Sequence, residues 1–201
     1  MRKVLHRFLL LGVLATSVNA SIIINTDQSA SGALGTIDLN QGDAGLVIFG
    51  TADNGALLKF TGTEELIVPA GGQARIEAQD GGFTNLDIRF LNGSIFDRIV
   101  FNLDASADGS ITVSAYDQFN NLFTQVLALG ASGQNFINVE SDAVQQIASV
   151  SFIATAPVNI TDIAQVRVGG IEESAVPEPA SLSLFGLGVA AIAVGKKLRK
   201  I

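Results

Sequence analysis

Between residues 21 and 174 the apolar positions come in short runs broken by Gly, Asn and Asp. No run follows the 3.6-residue period of a helix. The pattern predicts strands at 21–25, 45–49, 56–60, 65–68, 74–78, 85–90, 97–103, 110–116, 122–127, 135–139, 147–154 and 162–168. Several of these alternate with period two. Ile111, Val113 and Ala115 point one way, and Thr112, Ser114 and Tyr116 the other. Ala164, Val166 and Val168 also share a face. Turn signals separate the runs: Asp53-Asn54-Gly55, Asp80-Gly81-Gly82, Asn92-Gly93, Asp108-Gly109 and Asn120-Asn121. Many short strands at this spacing predict an all-β body over residues 21–170, an antiparallel β-sandwich of jelly-roll-like form. Residues 141–146 read as one helical turn inside a connection, and residues 171–176 as a linker.

The two ends have a different pattern. Residues 1–20 open on Arg2, Lys3, His6 and Arg7, continue through an apolar stretch, and close on the small residues Val18-Asn19-Ala20. That order predicts a signal helix cut by signal peptidase between Ala20 and Ser21. At the other end, Pro177-Glu178-Pro179 precedes an uncharged apolar stretch, residues 180–195. The chain then finishes on Lys196, Lys197, Arg199 and Lys200. Sixteen helical residues reach about 24 Å, against a bilayer core of about 30 Å. Snorkelling lysines and local thinning cover the gap. A short transmembrane helix is therefore expected, with its basic end held in the cytoplasm. The body is then threaded to the far side as a loop between two spans.

Charge sharpens this division. The 201-residue chain has twelve Lys+Arg and nineteen Asp+Glu. Only Lys59, Arg75, Arg89, Arg98 and Arg167 of the basic residues fall within 21–176, against eighteen acids, so the body carries a net charge of −13. Such a surface repels nucleic-acid phosphates and attracts divalent cations. There is no cysteine, so no disulfide framework supports the fold and a hydrophobic core must do so.

The C-terminal arrangement resembles the PEP-CTERM sorting signal: a Pro-Glu-Pro motif, a spanning segment and a basic stop. The resemblance covers residues 177–201 and implies an exported substrate of an exosortase, a membrane-embedded cysteine protease. It also implies a Gram-negative bacterium that makes extracellular polysaccharide. The two prolines keep the motif extended and out of a helix, where a protease can bind it. Residues 83–170 are also similar to bodies of other PEP-CTERM proteins. The similar pieces are Phe96-Asp-Arg-Ile-Val-Phe101, Gly133-Gln-Asn-Phe136, Ile147-Ala-Ser-Val-Ser-Phe152 and Gln165-Val-Arg-Val-Gly-Gly170. That likeness implies an all-β body and no particular activity.

Missing residue types limit the chemistry. The only histidine is His6, inside the signal segment. The body therefore has neither a Ser-His-Asp triad nor a Cys nucleophile, and no imidazole or thiolate zinc site. No catalytic residue is assigned. The best metal candidate is Asp104-Ala105-Ser106-Ala107-Asp108-Gly109, with oxygen side chains at positions 1, 3 and 5 and Gly at 6, as in an EF-hand loop. Position 12 is Ala115 where that loop needs a carboxylate. A hairpin turn is the simpler reading. A calcium ion there would need Asp117 or Asp97 as a further ligand. Phe96, Phe101, Phe119, Phe123, Phe136 and Phe152 are expected in the core, since the chain has no Trp and one Tyr.

These observations predict a non-enzymatic exported protein with no required cofactor, structural or adhesive at the outer surface or in a polysaccharide matrix. Its expected partners are signal peptidase, exosortase and extracellular polysaccharide, with a transient membrane stage. The rivals are a calcium-assisted carbohydrate-binding module and a glycosidase built on two carboxylates.

Overall fold

Alternating burial builds the body strand by strand. In the computed structural model the described residues are 21–27, 34–71, 74–131, 134–142 and 145–173. They form β1 (Ile22–Asn25), β2 (Gly35–Leu39), β3 (Ala44–Ala52), β4 (Leu57–Ile67), β5 (Arg75–Ala78) and β6 (Asn85–Phe90). The series continues with β7 (Arg98–Ala105), β8 (Gly109–Asp117), β9 (Leu122–Leu129), β10 (Asn135–Ser141), β11 (Ile147–Ala154) and β12 (Ile160–Gly169). The predicted face of β8 holds. Ile111, Val113 and Ala115 are buried, while Thr112, Ser114 and Tyr116 face outward. On β12 the expected shared face breaks: Val166 and Val168 join the core, whereas the register shift between Ala164 and Arg167 leaves Ala164 on the opposite face.

The strands are antiparallel and lie on one hydrogen-bonded path, β1-β10-β7-β12-β2-β3-β4-β6-β11-β8-β9, with β5 bridging β12 and β4. The last eight strands have jelly-roll connectivity. β5-β12-β7-β10 form one sheet and β6-β11-β8-β9 the other, and the chain crosses between them repeatedly. β1 extends the first sheet beside β10. β2, β3 and β4 join the two sheets along one side. β4 makes the corner: residues 58–61 pair with β6, whereas Leu66 and Ile67 pair with β5. Its two halves are the separate strands expected at 56–60 and 65–68. The strand β2 was not predicted.

The core lies between the sheets. Phe83, Phe101 and Phe152 meet there, with ring centroids 6.1 Å apart in both pairs. Phe90 and Phe96 meet edge to face at 5.8 Å. Burying a side chain of this size contributes about 1.5–3 kcal/mol. Phe119 departs from expectation, being 70% exposed. It sits in the β8–β9 turn, where its N–H donates to Asp117 Oδ1 at 2.8 Å, and its ring points to solvent.

Two glycines are required by local geometry. Gly55 closes the β3–β4 hairpin with φ 83°, and its N–H donates to the Ala52 carbonyl at 2.8 Å. Gly170 has φ 61°, and a Cβ there would collide with the Asp97 carboxylate. Beyond it the chain stays on the body: Glu172 and Ile95 exchange both backbone hydrogen bonds, at 2.8 and 2.9 Å. The folded body thus reaches into the stretch read as linker. The helical turn expected at 141–146 does not form at its described residues, since Ser141 ends β10 and Gln145 and Gln146 are irregular. The expected signal helix and transmembrane helix lie outside the described residues. No helix among the described residues is long and apolar enough to cross a membrane.

Candidate functional site

The outward face of the β5-β12-β7 sheet collects most of the charge that its strands carry. Cross-strand register places Glu77, Asp162 and Asp104 in one row, and Arg75, Ala164 and Asn102 in the next. Alternation points these side chains away from the core, because their strand neighbours Ile76, Ile163 and Leu103 are fully buried. Arg75, Asn102, Asp104, Gln134, Asp162, Ala164 and Gln165 line a groove of about 400 Å³.

The groove has an uneven electrostatic character. The Arg75 guanidinium bonds the Glu77 carboxylate, which raises its affinity for its proton. Among the described residues Asp162 has no such partner. Burial pushes its carboxyl above the ordinary 3.8, and the facing Asp104 adds to this; Arg75 opposes the shift and Glu77 supports it. The backbone is unusual here as well. Gln165 has φ 54°, rare for a residue with a side chain. It lies in a register shift of β12 between Ala164 and Arg167. Such a bulge re-aims a side chain, here toward the groove. Beneath the groove, Asn102 Oδ1 is buried and has no hydrogen-bond partner among the described residues.

The candidate calcium loop is placed differently from an EF-hand. Asp104 ends on the groove face, beside Asp162. Ser106 Oγ accepts from the Asn159 N–H at 3.0 Å. Asp108 Oδ1 accepts from the Ala131 N–H at 2.7 Å. Each of the latter two ties the β7–β8 turn to a neighbouring connection. Asp117, suggested as a further ligand, is fully buried under the β8–β9 turn. It accepts from the N–H groups of Phe119 and Asn121 and from the amides of Asn121 and Gln145. Among the described residues no group of three or more His, Cys, Asp or Glu side chains is arranged to hold a metal.

Sequence reading found Asp104 but not its companions Arg75, Asp162 and Gln165. Arg75 lies on β5, Asp104 on β7, and Asp162 and Gln165 on β12, strands far apart in the chain that only the register joins. Ser21 immediately precedes β1. Ala20, Pro177, Glu178, Pro179, Lys196, Lys197, Arg199 and Lys200 lie outside the described residues.

Comparison with known proteins gives two kinds of result. No curated protein matches the chain. Among solved structures, a CBM29-2 mutant complexed with mannohexaose aligns at 11% identity and TM-score 0.32, covering 77% of this chain and 91% of its own. A family 29 carbohydrate-binding module from Piromyces equi aligns at 13% identity and TM-score 0.30, covering 76% and 93%. An exo-β-agarase aligns at 10% identity and TM-score 0.35, covering 73% of this chain and 24% of that one. Overlaps this loose leave the groove's ligand to the groove's own chemistry. The C-terminus is more specific: residues 175–200 match the PEP-CTERM protein-sorting motif, which marks an exported protein with a C-terminal sorting signal for exosortase processing.

Proposed function

We propose that the body is a non-catalytic binding module, delivered by its sorting tail to the outer surface or extracellular matrix, and that its groove holds a neutral polysaccharide. The observation that supports this is the row of acceptors and donors across β5, β12 and β7. Carboxylates Asp104 and Asp162 accept from sugar hydroxyls. Arg75 and the amides of Gln134 and Gln165 donate to them. Both roles are needed, because each hydroxyl is donor and acceptor at once. The charge balance selects against acidic chains. Two carboxylates and one guanidinium line the groove, Glu77 stands in the same row, and the body carries −13, so uronate or sulfate groups would be repelled. The adhesive role then follows from many weak sites acting along one polymer.

Titration calorimetry of the exported protein against neutral and acidic polysaccharides tests this. Binding to a neutral chain is expected, weakened about tenfold or more by Asp104→Ala or Arg75→Ala, since each leaves groove partners unpaired. The reading fails if no neutral polysaccharide binds, or if both variants bind as the wild type does.

One observation favours a second reading. Asp162 holds its proton above the ordinary carboxylate range and faces a second carboxylate on the same side of the sheet. A retaining glycosidase uses two carboxyls about 5–5.5 Å apart, one of them acidic. Release of reducing ends from a bound polysaccharide, lost in Asp162→Asn, would establish hydrolysis over simple binding.

A further inference from the structure

The chain joins the sheet at once from Ser21. Ile22, Ile23, Ile24 and Asn25 pair with Ser141, Glu140, Val139 and Asn138 of β10. Ser21 prolongs that ladder, its carbonyl accepting from the Asp142 N–H at 3.2 Å. Its own nitrogen donates to Asp142 Oδ2 at 3.0 Å. The other oxygen, Oδ1, accepts from the Gln145 N–H at 3.0 Å, which holds the carboxylate in place. A carboxylate is thus aimed at the nitrogen that immediately follows Val18-Asn19-Ala20, the small-residue run that suits signal peptidase.

We propose that cleavage between Ala20 and Ser21 makes Ser21 a structural anchor, its new α-ammonium pairing with Asp142 and clamping β1 onto β10. Hydrolysis consumes one water. Ala20 leaves with a carboxylate, and the Ser21 nitrogen changes from a neutral amide with one hydrogen to an ammonium with three. The contact to Asp142 then becomes a charge-assisted bond, about twice as strong as its neutral counterpart. The new cation also enters a body with only five Lys+Arg against eighteen acids.

The placement orders events as well. A protease must hold the chain on both sides of the scissile bond. Ser21 cannot sit in an active site and in the β10 ladder together, so cleavage precedes docking of β1. Docking then buries Ile22 and lays Ile24 against the core. It also brings Asn25 Oδ1 to the Asn138 amide at 3.1 Å, covering the β10 edge.

The test is to export the full-length chain from a secreting bacterium and sequence its N-terminus, which is expected to be Ser21. That product is then compared with its Nα-acetylated form and with a form carrying one extra N-terminal alanine. Both are expected to melt about 2–4 °C lower, and to exchange the amides of residues 22–25 about fivefold faster. Asp142→Asn is expected to abolish the difference between free and acetylated protein. If that variant does not fold, the exchange comparison in the wild-type background decides alone. The proposal is overturned by a mature start elsewhere. It is also overturned by equal melting and exchange of the free and acetylated forms, or by an acetylation effect that persists in Asp142→Asn.

Discussion

Asp117 and Asp162 are aspartates at opposite ends of one scale. Asp117 is fully buried, and burial alone would raise its carboxyl. Hydrogen bonds from Asn121, Gln145 and Phe119 outweigh that effect and hold it below the ordinary range. Asp162 is only half-buried, yet it is raised: burial pushes it up, the facing Asp104 and Glu77 add to this, and only Arg75, already bonded to Glu77, opposes it. Depth is therefore not what separates them. A carboxylate with every lone pair matched is a piece of scaffold. One left among like charges is a place where something else can bind.

The largest expected effect comes from breaking the scaffold member. Asp117→Ala leaves two backbone N–H groups and two side-chain amides without their acceptor under the β8–β9 turn. A loss of about 3 kcal/mol is expected, read as a melting temperature about 6–12 °C lower. Asp162→Ala is expected to cost no stability. If the two variants melted alike, the distinction between the aspartates would collapse.

The same contrast shows what local pattern reveals. β6 was read at 85–90 and β11 at 147–154, the bounds observed, because their alternation or apolar run is uninterrupted. The strand β2 was not seen: in Gly35-Thr36-Ile37-Asp38-Leu39 only Ile37 is buried, so period two has one point to show itself. β4 looked like two strands because Thr61-Gly62-Thr63-Glu64 is polar, and only the change of partner from β6 to β5 makes it continuous. The Asp117 hub sits in a turn that Asn120-Asn121 announces. The Asp162 groove has no local announcement, since Asp104 and Arg75 reach it through register alone.

Acid separates the two aspartates next. For Asp117 the folded pKa is depressed, so its contribution is present above the unfolded value and is lost as pH falls through the folded one. For Asp162 the folded pKa is raised, so the folded state binds its proton more tightly. Its unfavourable contribution appears as pH rises from the ordinary 3.8 through the folded value. Asp117→Asn is therefore expected to flatten the decline of melting temperature below pH 4, whereas Asp162→Asn is expected to change the slope above it. Melting curves between pH 2.5 and 7, taken in about 0.1 M salt, read both.

At pH 7 Asp162→Asn is expected to stabilise, because it removes one of the facing negative charges. The group is partly exposed, so solvent screening holds the gain below about 1 kcal/mol, or about 1–3 °C. The gain should shrink at 1 M salt, where the screening length falls to about 3 Å. The same variant is expected to weaken polysaccharide binding. Opposite signs for stability and binding are what a functional carboxylate shows and a scaffold carboxylate does not.

The smallest effects belong to the loop that sequence pattern alone put forward as a cation site. Ser106 Oγ and Asp108 Oδ1 each accept one exposed backbone N–H, from Asn159 and Ala131. Ser106→Ala and Asp108→Ala should each cost about 0.5–1 kcal/mol, the net worth of one such bond. Both values should be the same with and without calcium if these oxygens are turn ties. A calcium ion bound there would act otherwise. At a hundred times its Kd it would add about 2.7 kcal/mol to the wild type, and either substitution would remove that gain. A melt in millimolar calcium against one in chelator therefore distinguishes a turn from a site, and no shift is the expected outcome. Asp104 is the informative control, because it belongs to the same loop in sequence and to the groove in space. Its substitution should leave the calcium comparison unchanged and still weaken the neutral polysaccharide, assigning it to Asp162 rather than to Asp108.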